Sequence, residues 1–257
     1  MSIFNNQCVL LIALLTSLIV SGCVSVTGER DPRDPWESYN RTVYKFNDGA
    51  DKAVFKPVAT VYRFATPKFV RAGVTNFFSN LDDVTVFLND MFQGKFRRGV
   101  AAGGRFIINT TFGLGGLIDV AGVAGEPKHY EDFGQTLGVW GMGPGPYFML
   151  PLLGPSTVRD ASGRLIDNLF FIPANYVRNQ NITTGAFLLN SVNLRSNLLG
   201  TEKVLEEASV DRYSFLRDAY LQRRESVVYD GNPPKKKDQE FEDFDEPEKI
   251  PGSEKKN

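Results

Sequence analysis

Cysteine is nearly missing from these 257 residues, with only Cys8 and Cys23 present. Cys8 lies in a segment that reads as a removable leader. The mature chain therefore keeps one thiol, too few for an internal disulfide or a cysteine-based zinc site. Histidine is scarcer still, since His129 stands alone, and sites built from several imidazoles are excluded. Glu131 and Asp132 beside it could serve a general base, but a lone histidine in a polar stretch is ordinarily just solvated. Neither sign of charge dominates: 29 basic residues against 30 acidic ones leave a formal charge of −1. That is no footprint for nucleic acid, which calls for a clustered positive excess. No apolar run after residue 23 approaches the roughly 20 residues that span a bilayer as a helix. A G-x-S-x-G nucleophile elbow is absent. Neither GLGG at 113–116 nor GMGPG at 141–145 fits a dinucleotide or P-loop pattern. Nothing here calls for a cofactor, a metal or an enzymatic mechanism.

What is present begins with Val9 to Val20, VLLIALLTSLIV, an unbroken apolar segment of signal-peptide length. Val20-Ser21-Gly22-Cys23 follows and resembles the bacterial lipobox, although the preceding MSIFNNQ carries no Lys or Arg. The resemblance makes residues 1–22 a lipoprotein signal peptide and Cys23 the site of lipid attachment. Three acyl chains, at about 0.8 kcal/mol per buried methylene, anchor a protein essentially permanently. Val24 rather than an aspartate after the cysteine favours the outer membrane. Residues 23–33 read as a tether, 34–228 as one domain and 229–257 as a charged, proline-containing, disordered tail.

Within 34–228 the dominant period is helical. Asp34-Pro35 predicts a helix start, with Trp36, Tyr39, Val43, Phe46 and Ala50 as an apolar stripe and Pro57 as its breaker. Pro67 opens another helix bearing Val70, Val74, Phe77 and Phe78, and Asn80 is expected to cap the next one before Gly94 ends it. Residues 97–110 read as a helix with Val100, Gly104, Ile107 and Ile108 inward and Gly103-Gly104 in close contact with a neighbour. Ser156 is expected to cap a helix that Pro173 stops. Thr184 starts one running to Leu199, and Ser209 or Asp211 caps the last. The best strand candidate is a short hairpin around residues 147–153.

The segment from Asp132 to Asp160 organises the rest. Glycines at 134, 138, 141, 143, 145 and 154 and prolines at 144, 146, 151 and 155 forbid a continuous helix. Yet Trp140, Met142, Tyr147, Phe148, Leu152 and Leu153 make it far too apolar for a solvated linker. It reads as an ordered loop docked on apolar surroundings, either the core or lipid. The charges nearby, Arg159-Asp160 and Arg164-Asp167, read as ion pairs that anchor loop and helix rather than as headgroup ligands.

DPWESYNRTVYKFND at 34–48, RFIINTTFGLGGLIDVAG at 105–122, EDFGQTLGVWGMGPGPYFMLPLLGPSTVRD at 131–160 and DRYSFLRDAYLQRR at 211–224 resemble the VacJ, or MlaA, outer-membrane lipoproteins. The resemblance covers about 34–228, in order. It implies an all-α fold: a single domain of short amphipathic helices forming a ring-like, membrane-embedded bundle around a narrow amphipathic channel, beside a Gly/Pro-rich loop or short hairpin. It also implies a non-enzymatic function at the periplasmic face of a Gram-negative outer membrane. Mislocalised phospholipid is removed from the outer leaflet and passed to a periplasmic phospholipid carrier, and a trimeric porin is a neighbour. Carried onto this sequence, Gly141, Gly143 and Gly145 let the loop bend beside the channel, and Pro146, Tyr147 and Pro151 shape it. Phe46 and Asn47 fall where a change misregulates the channel, and Arg159 and Asp160 anchor the loop. The competing reading is a structural or adhesion lipoprotein that binds porin without moving lipid. A lipid hydrolase would need a nucleophile and base that the sequence does not offer.

Overall fold

Two prolines set the course of the first half of the chain, and they act differently. Pro57 has no amide to donate and its ring crowds the preceding turn. The helix absorbs this by widening into a π-helical turn at Asp51–Phe55, between α1 (Glu37–Ala50) and α2 (Lys56–Ala65). The expected break at Pro57 is therefore a bulge in a continuing helix. Pro67 does stop α2, because it forces Thr66 into extended backbone, and then leads α3 (Lys68–Phe92) as its N-cap. These elements belong to a computed structural model that describes residues 31–173, 177, 179–200 and 211–234. The signal peptide, Cys23, most of the tether, Ser209 and nearly all of the tail lie outside the described residues.

The 25 residues of α3 span roughly 37 Å at 1.5 Å per residue. Asn80 does not cap a new helix. It sits mid-helix and buried, donating to Thr110 Oγ1 at 2.9 Å, so its polarity is satisfied across a helix interface instead of at an end. Gly94, at φ +74°, closes α3 and turns the chain back into α4 (Phe96–Phe112). A Cβ at Gly99 would lie 2.1 Å from Met91, and one at Gly103 would lie 3.3 Å from Phe87. The intimate contact thus uses Gly99 and Gly103, while Gly104 faces open space. After α5 (Val120–Val123), α6 (Phe133–Val139) leads through the glycine and proline loop into a hairpin. Its strands β1 (Tyr147–Leu150) and β2 (Gly154–Thr157) are antiparallel, with Tyr147 opposite Thr157 and Leu150 opposite Gly154. The remaining elements are α7 (Val158–Ile166), a second π-helical turn at Asp167–Phe171, α8 (Gln180–Leu198) and α9 (Arg212–Val228). Thr157, not Ser156, caps α7, accepting from the Asp160 amide; Ser156 is buried in β2. Asn179 caps α8 and Asp211 caps α9.

Burial runs against the rule for a protein in water. Among the described residues the apolar core is one small cluster of Val43, Tyr147, Met149 and Tyr213, which joins α1, the hairpin and α9. Most buried side chains are polar or charged, whereas Phe64, Phe69, Phe96, Phe112, Phe187, Leu165 and many others are exposed. α4 shows the inversion best. Val100 and Ile107, expected to point inward, are exposed, and the buried face is Gly99, Ala102, Arg105 and Asn109. Amphipathic spacing fixes a face but not its sign, and here the polar face is inside. No helix among the described residues is long and apolar enough to cross a membrane.

Candidate functional site

The loop is mounted on α6 and α7, and both are pinned by one arginine. Asp132 caps α6 by accepting from the Gln135 amide at 2.9 Å, and Asp160 lies in the first turn of α7. Arg224 of α9 donates to Asp132 at 2.6 and 2.9 Å and to Asp160 at 2.9 and 3.0 Å. Tyr220, one turn earlier, adds a 2.8 Å bond to Asp160. Burial pushes both carboxyls up, and the Arg224 guanidinium more than reverses this, leaving each below the ordinary aspartate range. The fit is tight because two glycines meet: a Cβ on Gly163 would come within 2.2 Å of the Gly134 amide.

From this base the chain leaves α6 at Gly141, whose φ of +94° closes the helix as its left-handed final residue. Gly145 also requires a left-handed backbone, at φ +67° with Val158 3.2 Å from where its Cβ would stand. Gly143 needs no such freedom, having an ordinary φ and nothing within 4 Å. The Pro144 and Pro146 carbonyls accept from the Arg159 and Val158 amides at 3.2 Å each. Arg159 itself is buried, pairs with Asp160 at 2.9 Å and reaches the Met142 carbonyl at 3.5 Å. Trp140 donates its indole N–H to the Phe92 carbonyl at 3.1 Å.

The outer edge of β1 is met by α1 instead of another strand. Asn40 Oδ1 accepts from the Met149 amide at 2.8 Å while its Nδ2 donates to the Tyr147 carbonyl at 3.3 Å. Two turns on, Asn47 Nδ2 donates to the Leu150 carbonyl at 2.9 Å and its Oδ1 accepts from the Leu152 amide at 2.7 Å. Two side-chain amides thus stand in for the peptide groups of a missing strand, covering an edge that would otherwise be unpaired. Leu152 has φ +61°, a conformation costing a leucine about 1–2 kcal/mol, and Asn47 holds it there. Leu152 and Leu153 are exposed at the hairpin tip, as are Pro151 and, on α1, Phe46. Tyr147 is fully buried beside Tyr213, whose hydroxyl donates to Asp34.

Of the residues singled out in the sequence, Gly141, Gly143, Gly145, Pro146, Tyr147 and Pro151 lie in this one stretch. Asn47, Arg159 and Asp160 touch the loop, the hairpin or its base, and Phe46 projects from α1 into open space. The sequence reading missed Asn40, Asp132 and Arg224 as parts of the mounting. The seven-residue interval from Asn40 to Asn47 was a readable signal, since it places both on one helix face.

Behind the loop runs the polar interior. Asn89 of α3 donates to Asp167 at 3.0 Å and accepts from Thr136 at 2.8 Å. Gln93 bridges Thr136 and Glu131 at 3.0 Å each. Asp83 pairs with Lys128 at 2.6 Å and Asp90 with His129 at 2.7 Å. His129 Nε2 is therefore within hydrogen-bond distance of a buried carboxylate, not left to solvent. Asp167 has amide donors but no cation within ion-pair distance among the described residues, and burial pushes it up to about 6.

Amides and ion pairs inside, phenylalanines and leucines outside, and a broken apolar loop clamped between them define a helical domain built to face lipid around a polar interior. The chain belongs to the MlaA lipoprotein family, whose model matches residues 32–227. It is 36% identical over 224 residues to the intermembrane phospholipid transport system lipoprotein MlaA of Escherichia coli K12, covering 86% of this chain and 88% of that protein. The Shigella flexneri protein of the same name matches equally, and that of Haemophilus influenzae is 31% identical over 228 residues, covering 86% of this chain and 91% of the relative. A solved structure described as "Structural basis for maintenance of bacterial outer membrane lipid asymmetry" is similar with a TM-score of 0.68 at 36% identity, covering 79% of this chain and all of the other.

Proposed function

We propose that this chain is the lipid-anchored outer-membrane component of an intermembrane phospholipid transport system. It takes phospholipid out of the outer leaflet and passes it to a periplasmic carrier, beside a trimeric porin, without making or breaking a bond. Cys23 carries the acyl chains, residues 23–33 form the tether, and the domain from 34 to 228 sits in the periplasmic leaflet. The observation that carries this reading is the inverted burial, with Arg105, Asn89, Asp83 and Asp167 inside and large apolar side chains outside. Water would penalise that arrangement, whereas lipid outside and headgroups or water inside favour it. The loop from Gly141 to Pro151 is the wall or gate of the lipid path, and Asn47, Arg159 and Asp160 set its position. The names of the relatives, which belong to an intermembrane phospholipid transport system, agree with this reading.

The test is transfer by the purified, acylated protein of labelled phospholipid from vesicles to a periplasmic carrier. Transfer above that of protein-free vesicles is expected. A chain that binds vesicles and porin yet moves no lipid would instead be a scaffold.

A further inference from the structure

From Lys52 to Leu81 the chain contains no acidic residue and five basic ones, Lys52, Lys56, Arg63, Lys68 and Arg71. In a chain whose total charge is −1, this is a strong local imbalance. Its middle is the corner between α2 and α3, where the extended Thr66 and Pro67 turn the backbone sharply. Phe64 and Phe69 flank the corner and are 93% and 77% exposed, the most exposed phenylalanines among the described residues. Each follows a cation directly, Arg63 before Phe64 and Lys68 before Phe69. Arg71 stands one turn beyond Lys68 on the same helix face.

These cations differ from most of the domain's arginines, although Arg97, Arg164 and Arg223 also have no carboxylate within ion-pair distance among the described residues. Arg33, Arg41, Arg98, Arg105, Arg159, Arg195, Arg217 and Arg224 all pair with carboxylates. Among the described residues no carboxylate lies within ion-pair distance of Arg63, Lys68 or Arg71, and Arg71 Nε is buried without an acceptor. Unpaired cations alternating with projecting aromatics suit one partner chemistry. The rings enter the acyl region while the charges stop at the phosphates, as at the polar rim of an interfacial helix. A neutral zwitterionic surface would satisfy the rings but leave the net charge uncompensated.

We infer that the α2–α3 corner, through Arg63, Lys68 and Arg71 around Phe64 and Phe69, is a docking surface for the anionic phospholipid of a bilayer. This rests on the lipid-facing reading above and adds a headgroup preference to it. The corner selects lipid at the protein's rim, away from the loop and its mounting.

The experiment uses the acylated full-length lipoprotein in detergent. It is titrated with equal parts of phosphatidylglycerol and phosphatidylcholine and weighed intact with its bound lipids. Three interfacial cations at about 1 kcal/mol each correspond to a preference for phosphatidylglycerol on the order of a hundredfold at low salt. The preference should fall steeply as salt is added. Replacing all three as Arg63→Gln, Lys68→Gln and Arg71→Gln should abolish most of it with retention of phosphatidylcholine unchanged, and Phe64→Ser with Phe69→Ser should weaken both lipids alike. The inference is overturned if the unmodified protein shows no preference, if the preference ignores salt, or if the triple variant keeps it. A protein that transfers phospholipid yet shows no preference removes only this inference. Failure of transfer by a protein that keeps the preference removes the transport reading instead.

Discussion

Arg224 is the side chain on which the mounting of the loop most depends, and its removal has a cost that can be worked out in advance. Taking one partner from a buried ion pair typically costs 3–5 kcal/mol, because a charge is left without compensation. In Arg224→Leu that loss is softened on one side, since Asp160 keeps Arg159 at 2.9 Å and Tyr220 at 2.8 Å. Asp132 keeps the Gln135 amide at 2.9 Å but no cation. The Asp132 side chain is 39% exposed, so water takes up part of its orphaned charge, and a loss below that range follows, about 1–3 kcal/mol. Lysine should recover only part of it, because one ammonium cannot fork to two carboxylates as the guanidinium does. The protein carries its own probes, as Trp140 lies against Phe133 and Trp36 against Phe148, both next to the loop and hairpin. Unfolding in detergent followed by their fluorescence should show the loss. In an Asp132→Asn background the cost of Arg224→Leu should shrink by about 1 kcal/mol or more, since the orphaned charge is gone. A cost below about 1 kcal/mol, or one that Asp132→Asn leaves unchanged, would mean that Arg224 does not hold the loop's base through Asp132.

Other outcomes follow from single contacts. Asn47→Ala removes two hydrogen bonds from the hairpin tip, each worth about 0.5–1.5 kcal/mol. Hydrogen exchange at the Leu152 amide should accelerate about tenfold to a hundredfold, with the amides of α4 unaffected. Gly143→Ala should be neutral or slightly stabilising in thermal unfolding, whereas Gly141→Ala, forced to φ +94°, should destabilise by about 1 kcal/mol or more. Asp167 is pushed up to about 6 from 3.8, so the folded state holds an extra proton between those values. Its contribution is fully present below 3.8 and is lost as pH rises through about 6. The fall amounts to about 3 kcal/mol at most, and Asp167→Asn should flatten the difference in unfolding free energy across that window.

The helical class, the hairpin near residue 147 and the breaks in the Gly/Pro segment were legible in the sequence because each rests on local chemistry. Breakers at 141–146, a helical period in α9 and a cap at Ser209 or Asp211 need no knowledge of surroundings, and Asp211 is the one that caps. What failed depended on the solvent. Val100 and Ile107 read as inward on the rule for a protein in water, whereas the same period in the structure buries Arg105 and Asn109. Asn80 looks like a cap until Thr110, thirty residues away, satisfies it mid-helix. Pro57 looks like a stop until a π-helical turn accommodates it. The mounting was hidden for a related reason, since the pairing of Arg224 with Asp132 crosses 92 residues and leaves no local signature.

The central claim is that the chain removes phospholipid from the outer leaflet. The most direct measurement is the amount of phospholipid on the cell surface in a strain lacking the gene, against the same strain carrying it. Surface phospholipid should rise on deletion and return to its original level with the intact gene, while Cys23→Ala should restore it poorly. Surface phospholipid that is unchanged by deletion would contradict the claim.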